Sequence, residues 1–89
     1  MGTVPEISRF FGIRITMYYD DHTPPHFHAE YAGNKALIDI EHARVIRGSL
    51  PSSQLKVVLA WTILRREALM EDWLLTKDHE PLKQILPLE

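Results

Sequence analysis

Two neighbouring segments decide the fold: HFHAEY at residues 26–31 and KALIDI at residues 35–40. Apolar and polar residues alternate in the first, which is the period-two pattern of a half-buried β-strand, and the second is predicted to be the strand that follows it. The connection contains Gly33-Asn34, and both residue types accept the positive φ that a tight turn requires. The sequence therefore predicts an antiparallel hairpin whose polar face carries His26, His28 and Glu30.

Further strands are predicted on both sides of this hairpin. Residues 12–19, GIRITMYY, alternate in the same way and predict a preceding strand, and residues 45–47 predict a short following one. Between the first two strands, DDHTPP at residues 20–25 ends in two prolines, which lack amide donors and stop a strand ladder. The first half is predicted to be an antiparallel meander of three to four strands.

The second half is predicted to be helical. Residues 54–77 follow a serine N-cap at residues 52–53 and contain no helix breaker, so they form either one long helix or two shorter ones. One apolar stripe comprises Leu55, Val58, Leu59, Thr62, Leu69, Met70 and Trp73. A second comprises Val57, Trp61, Leu64, Ala68 and Leu75. A single sheet cannot bury both stripes, so either the helix breaks near residues 65–67 or a second copy covers it. The tail, residues 81–88, is predicted to lie extended across the body.

The length of 89 residues allows one hydrophobic core, so residues 1–89 are predicted to form a single α+β domain with the helices on one face of the sheet. A core this small makes stabilisation by self-association advantageous. We therefore expect a homodimer.

Composition excludes several classes of protein. The chain has no cysteine, which rules out disulfides and thiolate zinc sites and favours a cytoplasmic location. No apolar run approaches the ~20 residues that span a bilayer, so no membrane association is expected. The net charge is −2 and the basic residues are scattered, so charge gives no indication of a nucleic-acid partner.

The histidines supply the main chemical signal. His26, His28 and Glu30 project from one side of their strand, and His22 on the preceding loop could complete a ligand set. Imidazole and carboxylate groups suit a divalent transition metal, so these four residues are predicted metal ligands. Asp39, on the polar face of the next strand, is a further candidate.

Two other roles for the histidines remain open. His26 and His28 could hydrogen-bond loop carboxylates such as Asp20 and Asp21, which would brace the proline loop without chemistry. Alternatively, one histidine could act as a general acid or base.

In this catalytic alternative, Arg9, Arg14 or Tyr18 would stabilise an anion, as in small metal-independent ribonucleases. The candidate catalytic residues are then His26, His28, Arg14 and Tyr18. It requires Arg14 and Tyr18 to share the histidine face, which depends on a strand register that the sequence does not fix.

Several blocks of the sequence resemble a widespread family of small bacterial proteins classed as a domain of unknown function. The blocks are PEISRFFGI (5–13), MYYDDHTPPHFHAEY (17–31), ALIDI (36–40), GSLP (48–51), Trp61 and EDW (71–73). The resemblance implies a short cytosolic protein often encoded beside another small uncharacterised protein, similar to a toxin–antitoxin pair. It implies no catalytic residues.

Two functions follow as expectations. The first is a binding or regulatory module in a two-protein bacterial system, with a small protein partner encoded nearby. The alternative is a small metal-dependent hydrolase or ribonuclease that uses the histidine-rich strand.

Overall fold

The computed structural model describes residues 4–88 as a five-stranded sheet followed by two helices. The elements are β1 (Glu6–Phe10), β2 (Ile13–Thr16), β3 (His26–Tyr31), β4 (Asn34–Asp39), β5 (Arg44–Gly48), α1 (Ser52–Leu64) and α2 (Arg66–Lys77). The strands lie in chain order and every neighbouring pair is antiparallel. The α+β class and the meander are confirmed, but the sheet has five strands rather than three to four.

The strand that the sequence did not predict is β1. Its register on β2 shifts between Glu6 and Ser8, and consecutive residues Ile7 and Ser8 are both buried. A bulge of this kind places two residues against one on the partner strand. The apolar positions therefore lose the two-residue period by which a strand is recognised.

The hairpin between β3 and β4 is confirmed, with a small correction to its turn. Tyr31 pairs with Asn34, so the two turn residues are Ala32 and Gly33, with φ of 49° and 83°. The predicted Gly33-Asn34 turn is thus displaced by one residue, and Asn34 begins β4. The strand predicted at residues 12–19 is also shorter than expected, because only Ile13–Thr16 forms a β-strand.

The helical half bends at Arg65, which confirms the two-helix alternative. Arg65 has φ −108° and ψ 21° between α1 and α2, and the Nε of Arg66 donates to the carbonyl oxygen of Ile40 at 3.2 Å. Trp61 of the second predicted stripe is fully buried. The bend therefore brings both stripes to the core without a second copy, and the homodimer remains a prediction.

Two details of the helical half differ from expectation. The N-cap is Pro51, with no side-chain capping bond, so the serine cap was wrong and Ser52 is already helical. Leu64 of the second stripe stays 62% exposed because it lies at the outer side of the bend.

The tail crosses the body in an extended conformation, as predicted, and covers the outer edge of β1. The Ile85 amide donates to the carbonyl oxygen of Ile7 at 2.8 Å, and the indole Nε1 of Trp61 donates to the Leu86 carbonyl at 2.8 Å. A strand edge that is covered in this way is not free to pair with a strand of another chain. The tail thus covers the β1 edge of the sheet.

The sheet has one core face and one face that we call the open face. The core face carries Ile13, Ile15, Phe27, Ala29, Ala36 and Ile38, all fully buried beneath the helices. The open face carries Arg14, Thr16, Tyr18, His28, Glu30, Lys35, Leu37 and Arg47. Neither helix in the described part of the chain is both long and apolar enough to cross a membrane.

Asp72, on α2, is a buried carboxylate, and only one of its two oxygens accepts a hydrogen bond within the described residues. It is 1% exposed, its Oδ1 accepts the Lys83 amide at 2.9 Å, and its Oδ2 has no partner among residues 4–88. Burial raises the pKa of Asp72, and the Lys83 amide offsets this only in part. The folded state therefore favours the protonated acid.

Asp72→Asn is expected to raise the free energy of unfolding at pH 7 by about 1 kcal/mol, because the amide keeps the acceptor oxygen and carries no charge. A raised folded pKa stabilises the wild type below the unfolded pKa, and this contribution is lost as pH rises through the folded value. The difference in the free energy of unfolding between the variant and the wild type should therefore vanish near pH 4. Urea denaturation between pH 4 and pH 7 measures this difference, with Glu80→Gln, at an exposed position, as the control. An equal gain at every pH would contradict the explanation.

Candidate functional site

The loop between β2 and β3 is held by the end of α2 and the residues after it. The Lys77 ammonium donates to the Asp21 carbonyl oxygen and lies 4.3 Å from the centre of the Trp73 ring. His79 Nε2 donates to the Asp20 carboxylate at 2.8 Å. With the Tyr19 hydroxyl bonded to the Glu80 carbonyl at 2.8 Å, these contacts fix the position of the loop.

The loop presents one carboxylate to two histidines of β3. Asp21 Oδ2 lies 2.9 Å from His26 Nε2 and 3.4 Å from His28 Nε2, and His26 Nδ1 lies 2.8 Å from the Pro24 carbonyl oxygen. One donor atom from each of Asp21, His26 and His28 falls within 4.8 Å of the others. We call these three residues the Asp–His cluster.

The electrostatics of the cluster favour a charged carboxylate and an uncharged His28. Burial acts to raise the pKa of Asp21, but the His22 amide, His28 and His26 together outweigh it, so this pKa is lowered. Burial lowers the pKa of His28, and the contact with Asp21 offsets this only in part. Near neutral pH the Asp21 carboxylate is therefore charged and can accept hydrogen bonds or bind a cation.

The structure brings together part of the predicted ligand set. His26 and His28 belong to the cluster. His22 lies exposed on the loop, and Glu30 lies 3.5 Å from Arg14 in an ion pair. The carboxylate position next to the histidines is taken by Asp21, which matches the predicted loop-bracing contact; the other predicted loop carboxylate, Asp20, bonds His79 instead.

Asp39, the further candidate from β4, does not reach the cluster. Its carboxylate accepts from His42 Nδ1 at 2.9 Å and from the amides of Glu41 and His42. These contacts fix the turn after β4. Asp39 and His42 thus form a second aspartate–histidine pair, and among residues 4–88 no third metal-ligand group joins it.

The register settles where Arg14 and Tyr18 lie. Arg14 pairs with Glu30 and Thr16 with His28, so Arg14 shares the open face with His28, and the Tyr18 ring stacks on the His28 ring at 4.1 Å. Arg14 is engaged, however, because its Nε donates to Glu6 at 3.0 Å. Hydrogen bonds from Arg9 and then Arg14 lower the pKa of Glu6 to about 2, so this ion pair persists across the physiological range.

Two clefts adjoin the cluster on the open face. The first has a volume of about 280 Å³ and is lined by Arg14, Thr16, Tyr18, His28, Glu30 and Lys35, among others. The second, of about 240 Å³, is lined by Asp21, His22, Pro24, His26, Leu37 and Arg47, among others. The two imidazoles thus reach neighbouring clefts.

A family model matches residues 12–74, from the start of β2 into α2, and its description is a domain of unknown function, DUF4160. The chain belongs to this family. The matched region contains the Asp–His cluster and both helices except the end of α2. No curated protein and no solved structure matches this DUF4160 chain.

Sequence inspection missed the residues that clamp the loop of this DUF4160 protein. Tyr19, Lys77 and His79 act through contacts across 56 to 61 positions of the chain. No local periodicity or spacing encodes such a pairing. The sequence signal that could have suggested these contacts was the position of Lys77 and His79 just before the proline-containing tail.

Proposed function

We propose that this DUF4160 protein is a cytoplasmic binding and regulatory module that contacts a small protein partner through the open face of its sheet. The partner is the neighbouring gene product expected for a two-protein, toxin–antitoxin-like system. The observation that carries the proposal is the asymmetry of the fold. The helices cover the core face and the tail covers the β1 edge, whereas within the described chain nothing covers the clefts of the open face.

The composition of the open face supports recognition of a protein. Tyr18 is 39% exposed, stacks on the His28 ring and lines the same cleft as the charged residues Glu30 and Lys35. Tyrosine and arginine are enriched where protein interfaces concentrate their binding energy. An exposed aromatic side chain beside charged residues has the composition of such an interface.

The clamped loop also supports binding. Ordering a mobile loop on association costs about 0.5–1.5 kcal/mol for each immobilised side chain. Here Lys77, His79 and Tyr19 hold the loop in place before any partner arrives. The open face is therefore preorganised and loses little entropy on binding.

The geometry favours binding over metal-independent ribonuclease chemistry. That chemistry needs a cation to stabilise an anion beside the histidine. Arg14, the arginine expected to do so, is held between Glu6 and Glu30. A hydrolase on this face would therefore rely on Tyr18, Lys35 or a bound metal ion for that charge stabilisation.

Tyr18→Ala is expected to weaken the complex with the neighbouring gene product at least tenfold, or about 1.4 kcal/mol, because it removes the aromatic anchor of the open face. Isothermal titration calorimetry on the co-purified pair measures this change. Leu64→Ala is the matched control, because Leu64 is a large apolar side chain on the helical side and is 62% exposed. Equal affinities for both variants and the wild type, or no complex at all, would overturn the proposal.

A further inference from the structure

His26 has hydrogen-bond acceptors at both ring nitrogens. Its Nδ1 lies 2.8 Å from the Pro24 carbonyl oxygen, which can only accept, so Nδ1 carries the proton. In a neutral imidazole the other nitrogen then bears a lone pair. That lone pair points at Asp21 Oδ2, another acceptor, 2.9 Å away.

Two lone pairs at this distance repel unless a cation lies between them. The cation is either a second proton on the ring or a metal ion. The ring is 6% exposed and packs against Trp73 with 5.3 Å between ring centres, so water has little access to the histidine side of this contact. The site is therefore built around a positive charge.

A metal ion satisfies more of the cluster than a proton does. A proton bridges only His26 and Asp21, whereas His28 Nε2 also faces the same oxygen at 3.4 Å. With metal–ligand bonds of about 2.0–2.1 Å, neighbouring ligand atoms lie roughly 3 Å apart in octahedral and roughly 3.4 Å apart in tetrahedral geometry. The separations of 2.9 and 3.4 Å fall in this range.

The surroundings of the cluster match a metal site in two further respects. Metal-binding histidines usually donate their second ring N–H to a carbonyl or carboxylate, which orients the ring, and the Pro24 carbonyl does this for His26. The loop that carries Asp21 is positioned separately by Lys77 and His79. The hydrogen bonds within the cluster are therefore not needed to place the loop.

We propose that Asp21, His26 and His28 bind one divalent transition-metal ion, with zinc as the reference, and leave its remaining coordination positions open to the two clefts. Two imidazoles and one carboxylate suit zinc, iron, cobalt and nickel and are poor ligands for calcium or magnesium. This site does not depend on the partner proposed above. An ion held here would supply the Lewis acid that a metal-dependent hydrolase requires.

The test is zinc titration of untagged, metal-stripped protein by calorimetry, with cobalt absorption spectra to report the coordination geometry. The expected result is about one equivalent of zinc, with an affinity lowered at least ~100-fold in both His28→Ala and Asp21→Asn. Because His26 is buried, its replacement could disturb folding. The less buried His28 and Asp21 keep the test interpretable once circular dichroism confirms their fold.

His42→Ala is the matched control. His42 also lies 2.9 Å from an aspartate oxygen, but in the described part of the chain no third metal-ligand group lies beside that pair. It should bind zinc like the wild type. Equal zinc affinity in all variants would overturn the proposal, as would nuclear magnetic resonance showing protons on both His26 nitrogens in the presence of excess zinc. Tyr18→Ala should retain zinc binding while weakening partner binding, so the failure of one proposal is distinguishable from the failure of the other.

Discussion

Trp61→Ala is expected to lower the free energy of unfolding by about 3–5 kcal/mol, which is most of the stability of a domain this small. Trp61 is fully buried, and its ring contacts Phe10 and Phe27 with centre distances of 5.0 and 5.6 Å. It joins α1, β1, β3 and the tail. Removing it leaves a cavity where these elements meet, and chemical denaturation measures the loss.

Trp61→Phe separates the packing of the ring from its hydrogen bond to the tail. Phenylalanine keeps most of the aromatic volume but cannot donate to the Leu86 carbonyl, which Trp61 reaches at 2.8 Å. The expected loss is about 1–2 kcal/mol, from the lost indole hydrogen bond and the reduced volume. The Leu86 carbonyl oxygen keeps one donor, because Arg65 Nε lies 3.1 Å from it. If the alanine variant lost no more than the phenylalanine variant, Trp61 would not be the central packing residue.

Gly48→Ala is expected to destabilise the protein by about 3 kcal/mol or more. Gly48 ends β5 with φ +78°, and a Cβ at this position would lie 2.2 Å from the Lys35 carbonyl oxygen. That oxygen is backbone and accepts the Ser49 amide at 3.0 Å, so it cannot move without breaking the pairing of β5 with β4. Left-handed strain adds about 1–2 kcal/mol, and thermal unfolding reports the sum.

Gly33→Ala is the matched control for the backbone clash. Gly33 has a similar φ of +83°, but an added Cβ would meet nothing within 4 Å. Only the strain of about 1–2 kcal/mol is expected there. If both alanine variants melted at the same temperature, steric contact with Lys35 would not be the reason that glycine occupies position 48.

The sheet was largely predictable because its central strands obey local rules. β3 alternates apolar and polar residues along its length, and a two-residue turn fixes its register with β4. β1 was not predicted, because a bulge buries the consecutive residues Ile7 and Ser8 and so removes the alternating pattern. The helix break at Arg65 was one of two predicted alternatives, since two apolar stripes on one helix require either a bend or a partner.

The candidate site was predictable in its strand but not in its loop. The alternation of β3 placed His26 and His28 on one face, as the structure shows. Which carboxylate joins them depends on how the loop folds, and that is decided by Lys77 and His79 from the far end of the chain. Residue spacing therefore pointed to His22 and Glu30 as the further metal ligands. Asp21 was predicted only as a loop-bracing hydrogen-bond partner, and the structure brings its carboxylate to both histidines.

The most direct examination of the open face is nuclear magnetic resonance of isotope-labelled protein as the unlabelled neighbouring gene product is added. If the partner binds the open face, the largest shifts will occur at Tyr18, His28 and Lys35, with smaller shifts at the exposed helix residues Ile63 and Leu74. Shifts confined to α1 and α2 would show that the helical side carries the interaction, and would contradict the function proposed for this face.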